Sequence, residues 1–146
     1  MNAPVKVVPA AAGTPLTVLG DRLLLKLTSA DTNGQFTLTE QFNEPGTGIP
    51  LHQHSREDES FLVLEGQVEF VIGDTTTLVE PGGLIYAPRH VAHSFRAVSA
   101  TPTRMWIHIW PAGLETMFHE LSQLPAGPPD FGQVAAICAR YGISFL

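Results

Sequence analysis

Two histidines separated by a single residue, His52 and His54, are the first side chains of this sequence whose types and spacing could do chemistry. They follow Pro50 in an extended segment, so both imidazoles project from one face of a strand and can chelate a cation. Glu59 lies five residues after His54, an offset that would turn it to the opposite face of a continuous strand. The polar residues 55–58 permit a bend, however, and beyond a bend Glu59 can face the histidines again.

A fourth ligand must come from elsewhere in the chain, and His93 is the best-placed candidate. It opens a strand after the turn at Pro88, with Phe95 on the same face. Three imidazoles and one carboxylate would then surround a cavity, a donor set that suits one divalent Fe, Mn, Ni, Cu or Zn ion without selecting among them. Glu57 is the rival carboxylate, but its offset points it away from the cavity, and residues 56–58 are expected to form a solvated turn.

Short strands are the elements that must position these side chains. From Asp21 to Trp110 the sequence alternates brief apolar stretches with Gly, Pro, Asn and Asp, and no helical periodicity competes. The predicted strands are Arg22 to Thr28, Gln35 to Asn43, Pro50 to His54, Ser60 to Leu64, Gln67 to Ile72, Thr76 to Val79, Leu84 to Pro88, His93 to Val98 and Arg104 to Trp110. Their spacing predicts an all-β core, either a sandwich or a closed barrel. Two alternating sets should meet in that core, namely Val68, Phe70 and Ile72, and Met105, Ile107 and Ile109.

The pattern becomes helical after Pro111. Apolar residues recur there at intervals of three and four residues, as in an amphipathic helix, at Leu114, Met117, Phe118 and Leu121. A second helix is predicted after Asp130, which is placed to cap it, with an apolar stripe of Val134, Ile137 and Cys138. The predicted organisation is a flexible N-terminal arm over residues 1–19, a β-barrel over residues 20–111, and a helical extension over residues 112–146 packed on the barrel.

Composition excludes several classes of partner. Apolar residues make up 44% of the chain and charged residues 15%, as in an ordinary globular protein. The net charge of -6 and the scattered Lys and Arg leave no basic stripe, so nucleic-acid binding is not expected. No run approaches the roughly 18 apolar residues of a membrane span. Cys138 is the single cysteine, which excludes an internal disulfide and a thiolate metal site and fits a reduced, cytoplasmic setting.

The stretch from Gly48 to Gly66 resembles the first cupin motif, with HxH, four intervening residues, Glu, six more residues and Gly. Gly82, Pro88 and His93 resemble the second motif. The flanking segments Thr32-Asn33-Gly34, Pro111-Ala112-Gly113 and Tyr141-Gly142 resemble the quercetin dioxygenase-like branch of single-domain cupins. The resemblance implies a double-stranded β-helix of two antiparallel sheets, with His52, His54, Glu59 and His93 as the metal ligands.

One position departs from the family pattern. Two residues after the Pro of the second motif the family usually has Gly, and this chain has His90. His tolerates a positive φ better than most residues but not freely. His90 could mark a changed turn, a polar group at the cavity mouth or a surface side chain. It would face away from His93 on one strand, so it is not counted as a ligand.

The resemblance implies three candidate functions. The first is a metal-dependent, dioxygenase-like enzyme that acts on a small oxygen-chelating substrate, aromatic ones included, with Glu59 as ligand and general base. The alternatives are a redox-neutral isomerase or lyase and a binding module without catalysis. Candidate pocket residues are Phe61, Tyr86, Phe95 and Trp106, although Trp106 could equally pack under the C-terminal helices with His108 and Trp110.

A homodimer is the predicted assembly. Small cupins commonly dimerise, and the alternation of Val5, Val7 and Val8 could let the N-terminal arm add a strand to the sheet edge of a partner. The other expected partner is a small-molecule substrate.

Overall fold

Two antiparallel sheets make up most of the computed structural model, which describes residues 2–146. The strands are β1 (Thr14–Val18), β2 (Asp21–Leu27), β3 (Thr37–Asn43), β4 (Gly48–His54), β5 (Asp58–Glu65), β6 (Val68–Ile72), β7 (Thr75–Val79), β8 (Leu84–Ala87), β9 (His93–Ala97), β10 (Thr103–Trp110) and β11 (Ile143–Phe145). The helices are α1 (Ser29–Thr32), α2 (Glu115–Ser122) and α3 (Phe131–Arg140). One sheet has the order β1-β2-β3-β10-β5-β8 and the other β11-β4-β9-β6-β7.

This architecture is the double-stranded β-helix that the resemblance to cupins implies. Strands β2 to β10 coincide with the predicted strands to within two residues at each end. The two alternating sets do meet between the sheets: Phe70 and Met105 are 0% exposed, and both belong to the one cluster of buried apolar residues. That cluster also contains Phe61 and Val63 from β5, so side chains of both sheets fill the interior.

Strand β1 lies within residues 1–19, which the sequence analysis assigns to a flexible arm. It pairs antiparallel with β2 through a two-residue turn at Leu19 and Gly20. Both turn residues have positive φ, 53° and 86°, which is the geometry of the tight turns that match strand twist. Leu-Gly is not among the usual sequence signals for this turn, so nothing in the sequence marked the hairpin. Val18 packs against the core, which holds β1 at the edge of the six-stranded sheet.

The two predicted helices are present and pack against the apolar core. The side chain of Asp130 caps α3 by accepting hydrogen bonds from the backbone N–H groups of Gly132 and Gln133, at 3.0 and 3.3 Å. Buried side chains of both helices, including Leu121 and Val134, join the core cluster between the sheets. No helix among residues 2–146 is long and apolar enough to cross a membrane.

Strand β11 follows α3 within the predicted helical extension and pairs antiparallel with β4. Its register sets Ile143 opposite His54 and Phe145 opposite His52. Three residues give too short a period-two pattern to be recognised in the sequence. Residues 112–146 therefore contribute a strand to the five-stranded sheet as well as two helices.

Candidate metal centre

The two sheets each contribute ligands to one cluster. His52 and His54 lie two residues apart on β4 and face inward together, and His93 begins the neighbouring strand β9 directly opposite His52. Glu59 comes from β5 in the other sheet. The bend between β4 and β5 resets the side-chain alternation, as the sequence analysis requires, so Glu59 faces the histidines. One ligand atom from each of the four residues lies within 4.8 Å of every other.

A local irregularity between β4 and β9 sets the register at the site. The pairing shifts between Ile49 and His52, where Pro50 has no backbone N–H to give to the ladder. The two strands also approach closely at Gly48, where a Cβ atom would lie 1.9 Å from the carbonyl oxygen of Phe95. Glycine is therefore required there, and the shift aligns His52 with His93.

The inward nitrogens of two histidines point at one carboxylate oxygen. Glu59 Oε2 lies 2.9 Å from Nε2 of His93 and 3.2 Å from Nε2 of His54. The His52 and His93 rings are close, with centroids 4.4 Å apart. All four residues are at most 5% exposed. Three imidazoles and a carboxylate thus converge in a volume from which bulk water is largely excluded.

Backbone carbonyls hold the outer nitrogens of two of these rings. His52 Nδ1 lies 2.8 Å from the carbonyl oxygen of Pro50, and His93 Nδ1 lies 3.1 Å from that of Val91. A carbonyl can only accept, so each Nδ1 carries a proton and Nε2 is the nitrogen that remains to bind an ion. Both rings are therefore oriented as metal ligands need to be.

The outer nitrogen of His54 faces a side chain instead. Glu57 Oε1 lies 3.7 Å from His54 Nδ1, and neither this nitrogen nor Glu57 Oε2 has a hydrogen-bond partner among the described residues. Glu57 is 5% exposed, so the prediction of a solvated turn over residues 56–58 is wrong at this residue. The other two residues behave as predicted in part: Arg56 is exposed, and Asp58 is half-buried and bound to Arg89.

Burial and neighbouring charges shift the pKa values of three of the four residues of the cluster. Burial and the neighbouring His93 lower the pKa of His52 to about 4, so this ring is neutral at neutral pH. Burial would lower the pKa of His54, but Glu59 and Glu57 outweigh it and the net shift is upward. Burial would also raise the pKa of Glu59, but His54 and His93 reverse that shift, and the carboxyl pKa lies below its ordinary value.

The residues present fit a first-row divalent transition metal. Three imidazole nitrogens and one carboxylate oxygen form a borderline-to-hard donor set, and all four residues are buried and already turned toward one point. The orphaned pair of His54 and Glu57 is of the type that supports such ligands from outside. The chain thus has a cluster that could hold a metal, and its donor types leave the identity of the ion open.

A cavity of about 90 Å³ adjoins the cluster. Phe61 and Phe95, two of the predicted pocket residues, line it beside His52, His54 and Glu59. The C-terminal helices and β11 supply much of the remaining wall, which was not predicted from the sequence, through Leu114, Met117, Phe118, Leu121, Cys138, Ile143 and Phe145. Burial raises the pKa of the Cys138 thiol to about 11, so this residue acts as an apolar wall group.

The structure does not bring Tyr86 and Trp106 to the cavity, which corrects the prediction that they line it. Trp106 alternates with the inward-facing Met105 and Ile107, so its ring lies on the outer face of the sheet, where Nε1 donates to Glu40 Oε2 at 2.7 Å. Tyr86 is 54% exposed and stacks on Trp110 on that same face. The alternative that Trp106 packs under the helices is also wrong, because α2 and α3 pack on the inward side of β10.

His90 retains the turn of the family pattern. Its φ is 68°, the conformation in which glycine is favoured, and its backbone N–H donates to the carbonyl oxygen of His54 at 2.7 Å. The side chain is exposed and lies outside the cluster of potential ligands. Of the three interpretations of His90, the structure favours a surface side chain.

Two antiparallel sheets that enclose a three-histidine, one-glutamate cluster define the cupin class. In agreement with this, residues 41–110 match the model of Cupin_2, the cupin domain. Residues 41–110 of the chain therefore form a cupin domain.

Similarity to individual proteins is more distant. The chain is 28% identical over 109 residues to Quercetin 2,3-dioxygenase of Bacillus subtilis (strain 168), covering 70% of this chain and 32% of that protein. It is 29% identical over 80 residues to Mannose-1-phosphate guanylyltransferase 2 of Escherichia coli O157:H7, covering 55% of this chain and 17% of that protein. The chain thus spans a third or less of the length of these curated relatives.

Among solved structures, a Cupin 2 conserved barrel domain protein from Salinispora arenicola CNS-205 aligns over 94% of this chain and 98% of its own. The TM-score is 0.60 and the sequence identity 15%, so this likeness concerns the fold.

Proposed function

We propose that the protein is a metal-dependent oxidoreductase of the dioxygenase type, acting on a small molecule that offers chelating oxygen atoms. The observation that carries the proposal is the convergence of His52, His54, Glu59 and His93 beside a largely apolar cavity. The similarity to Quercetin 2,3-dioxygenase supports the same class of reaction, although it covers 32% of that protein.

The cavity wall favours an uncharged and largely apolar substrate. Apart from the cluster itself, its polar lining side chains are Asp21 and Gln41, and no Lys or Arg of the described residues takes part. An anionic substrate would therefore lose its hydration without gaining a cationic side chain as partner. The rings of Phe61, Phe95 and Phe145 give the wall aromatic faces, which suit a flat or aromatic molecule.

Each residue of the site has a distinct role in the proposed reaction. When bound, a divalent ion would supply a Lewis acid and, for Fe, Mn, Ni or Cu, a redox centre. Glu59 Oε2 can accept a proton from a substrate hydroxyl, because its lowered pKa keeps the carboxyl ionised at neutral pH. His52 and His93 are held by backbone carbonyls and so stay oriented. The apolar wall excludes water from the reacting groups.

Elemental analysis and oxygen uptake test this proposal together. Protein purified without added metal should contain up to one equivalent of a transition metal, and His54→Ala should lose it. Oxygen-electrode traces with flavonols, catechols and diketones should show uptake that the variant lacks. Turnover without oxygen would overturn the dioxygenase in favour of an isomerase or lyase, and a co-purifying, unaltered ligand with no turnover would favour a binding module.

We further propose that the protein works as a cytoplasmic homodimer. In support, Val5 and Val7 of the N-terminal segment are 95% and 82% exposed, and exposed apolar residues in an extended segment favour strand addition. The lone buried Cys138 fits a reducing compartment. Light scattering should give twice the chain mass, and a Val5→Asp/Val7→Asp variant should give the monomer mass.

A further inference from the structure

We propose that Glu57 is a positioning residue, which orients His54 as a metal ligand and neutralises the charge of the loaded centre. The inference rests on the proposed metal site. Its basis is that two buried polar atoms, His54 Nδ1 and Glu57 Oε2, have no hydrogen-bond partner among the described residues. The second oxygen of the same carboxylate, Glu57 Oε1, lies 3.7 Å from His54 Nδ1.

The comparison with the other two histidines shows what is missing at His54. His52 and His93 each have a backbone carbonyl within hydrogen-bond distance of Nδ1. His54 has none, and its own carbonyl is occupied by the N–H of His90. A buried N–H without an acceptor destabilises the folded protein, because the group has lost its hydrogen bond to water. Glu57 is the group that can remove this cost, by closing a few tenths of an ångström onto Nδ1.

A carboxylate acceptor also changes the ligand. A carboxylate accepts a stronger hydrogen bond than a peptide carbonyl, because the bond is charge-assisted. Such a bond fixes the Nδ1–H tautomer of His54 and increases the electron donation of Nε2 toward the centre. Glu57 would therefore strengthen the bond between His54 and the ion without touching the ion itself.

The net charge of the metal-loaded cluster also supports a role for the Glu57 carboxylate. Three neutral imidazoles and the Glu59 carboxylate around a divalent ion leave one net positive charge. That charge would lie next to a largely apolar cavity, where an unpaired charge is costly. The Glu57 carboxylate compensates it. No Lys or Arg nitrogen in the described part of the chain lies within 4 Å of Glu57, so its negative charge is not already used in an ion pair with them.

A neutral centre has a consequence for the substrate. Without a net positive charge, the loaded cluster offers no long-range attraction to an anion. Glu57 therefore acts in the same direction as the apolar wall, by favouring uncharged ligands.

Metal affinity and spectroscopy of Glu57 variants test the inference. Glu57→Gln keeps the size and an acceptor oxygen but removes the charge, and Glu57→Ala removes both. Glu44→Gln is the matched control, since Glu44 is exposed. Competition with a chromophoric chelator should show Zn(II) binding weakened about 10-fold by Glu57→Gln and up to roughly 100-fold by Glu57→Ala, with the control unchanged.

If Glu57 had only a structural role, its variants would not change the metal affinity or the spectrum of the bound metal. With Cu(II) bound, pulsed EPR reports the quadrupole coupling of the remote imidazole nitrogens, and both Glu57 variants should alter it at one of three rings. Equal Zn(II) affinity and an unaltered Cu(II) spectrum would overturn the inference, even if the Tm of the metal-free protein fell. A wild-type protein that binds no metal would overturn the proposed centre and the inference with it, so the two failures are distinguishable.

Discussion

Glu59 and His93 face each other from opposite sheets of the molecule, with Glu59 Oε2 2.9 Å from His93 Nε2. Because one residue comes from β5 and the other from β9, the contact closes only when the two sheets pack together. The site therefore forms only through tertiary packing, and its geometry depends on how the two sheets pack against each other.

Glu59→Gln should abolish tight metal binding. The amide keeps the shape of the side chain but removes the anionic ligand, and losing a direct ligand should cost more than the roughly 10–100-fold typical of an outer partner. Isothermal titration with Zn(II) or Mn(II) measures the loss. Glu65→Gln, at the exposed end of the same strand, is the control. A Glu59→Gln protein that keeps wild-type affinity would remove Glu59 from the ligand set.

Glu115 should make the stability of the protein fall in acid. Burial would raise the pKa of Glu115, but it accepts hydrogen bonds from Ser29 N at 2.7 Å, Thr37 Oγ1 at 2.6 Å and Gly113 N at 2.9 Å, and its pKa falls from 4.5 to about 2. The unfolded chain then binds the proton more tightly than the folded one. The contribution of Glu115, on the order of 3 kcal/mol, is therefore complete above pH 4.5 and is lost as the pH falls to about 2.

Urea unfolding of Glu115→Gln measures this contribution. The variant should be less stable than the wild type at pH 7, and the difference should shrink by pH 3. Glu80→Gln, which is exposed, should unfold like the wild type at both values. A difference that stays constant with pH would show that the carboxylate charge is not what matters at Glu115.

Met117→Ala should destabilise the protein by about 2–5 kcal/mol, because it removes a side chain that is 5% exposed and lines the cavity. Thr116→Ala, at an exposed position of the same helix, should change the free energy of unfolding by about 0.5 kcal/mol or less. Chemical denaturation of both variants is the measurement. Equal stability of the two would mean that α2 does not pack on the cavity as described.

His90→Gly should leave metal binding unchanged. Glycine removes the strain of a positive φ, worth about 1–2 kcal/mol, but makes the unfolded chain more flexible by about 0.5–1 kcal/mol. The net change in the free energy of unfolding should then be a gain of at most about 1.5 kcal/mol. Chemical denaturation measures the change in stability, and metal titration measures the change in binding. Weaker metal binding by His90→Gly would show that the His90 side chain has a role at the metal centre.

Most of the site could be predicted because its geometry follows from period-two alternation. His52 and His54 share a face by their spacing alone, and the bend before Glu59 was visible as a run of polar residues. The same rule excludes Trp106 from the cavity, since it alternates with Met105 and Ile107, so this error lay in how the sequence was interpreted. The position of Tyr86 is different, because it depends on the pairing of β8 with β5, which no local pattern shows.

The position of Glu57 could not be predicted for a related reason. Whether a polar turn is solvated depends on what packs over it, and here the backbone N–H of Ser55 donates to the carbonyl oxygen of Gly142 at 2.9 Å. That contact joins residues far apart in the chain. The cavity wall built by α2, α3 and β11 was missed for the same reason, although the apolar stripes of the helices were recognised.

The seam between β11 and β4 joins the helical layer to the strand that carries His52 and His54. A guest molecule would touch Leu114, Cys138 and Ile143 together with the ligand-bearing sheet. The helices α2 and α3 could then separate from the cavity only if the bound molecule dissociated first. Amide hydrogens of α2 and α3 should accordingly exchange with deuterium more slowly when a ligand occupies the cavity. The exchange rate of these outer helices therefore reports whether the cavity is occupied.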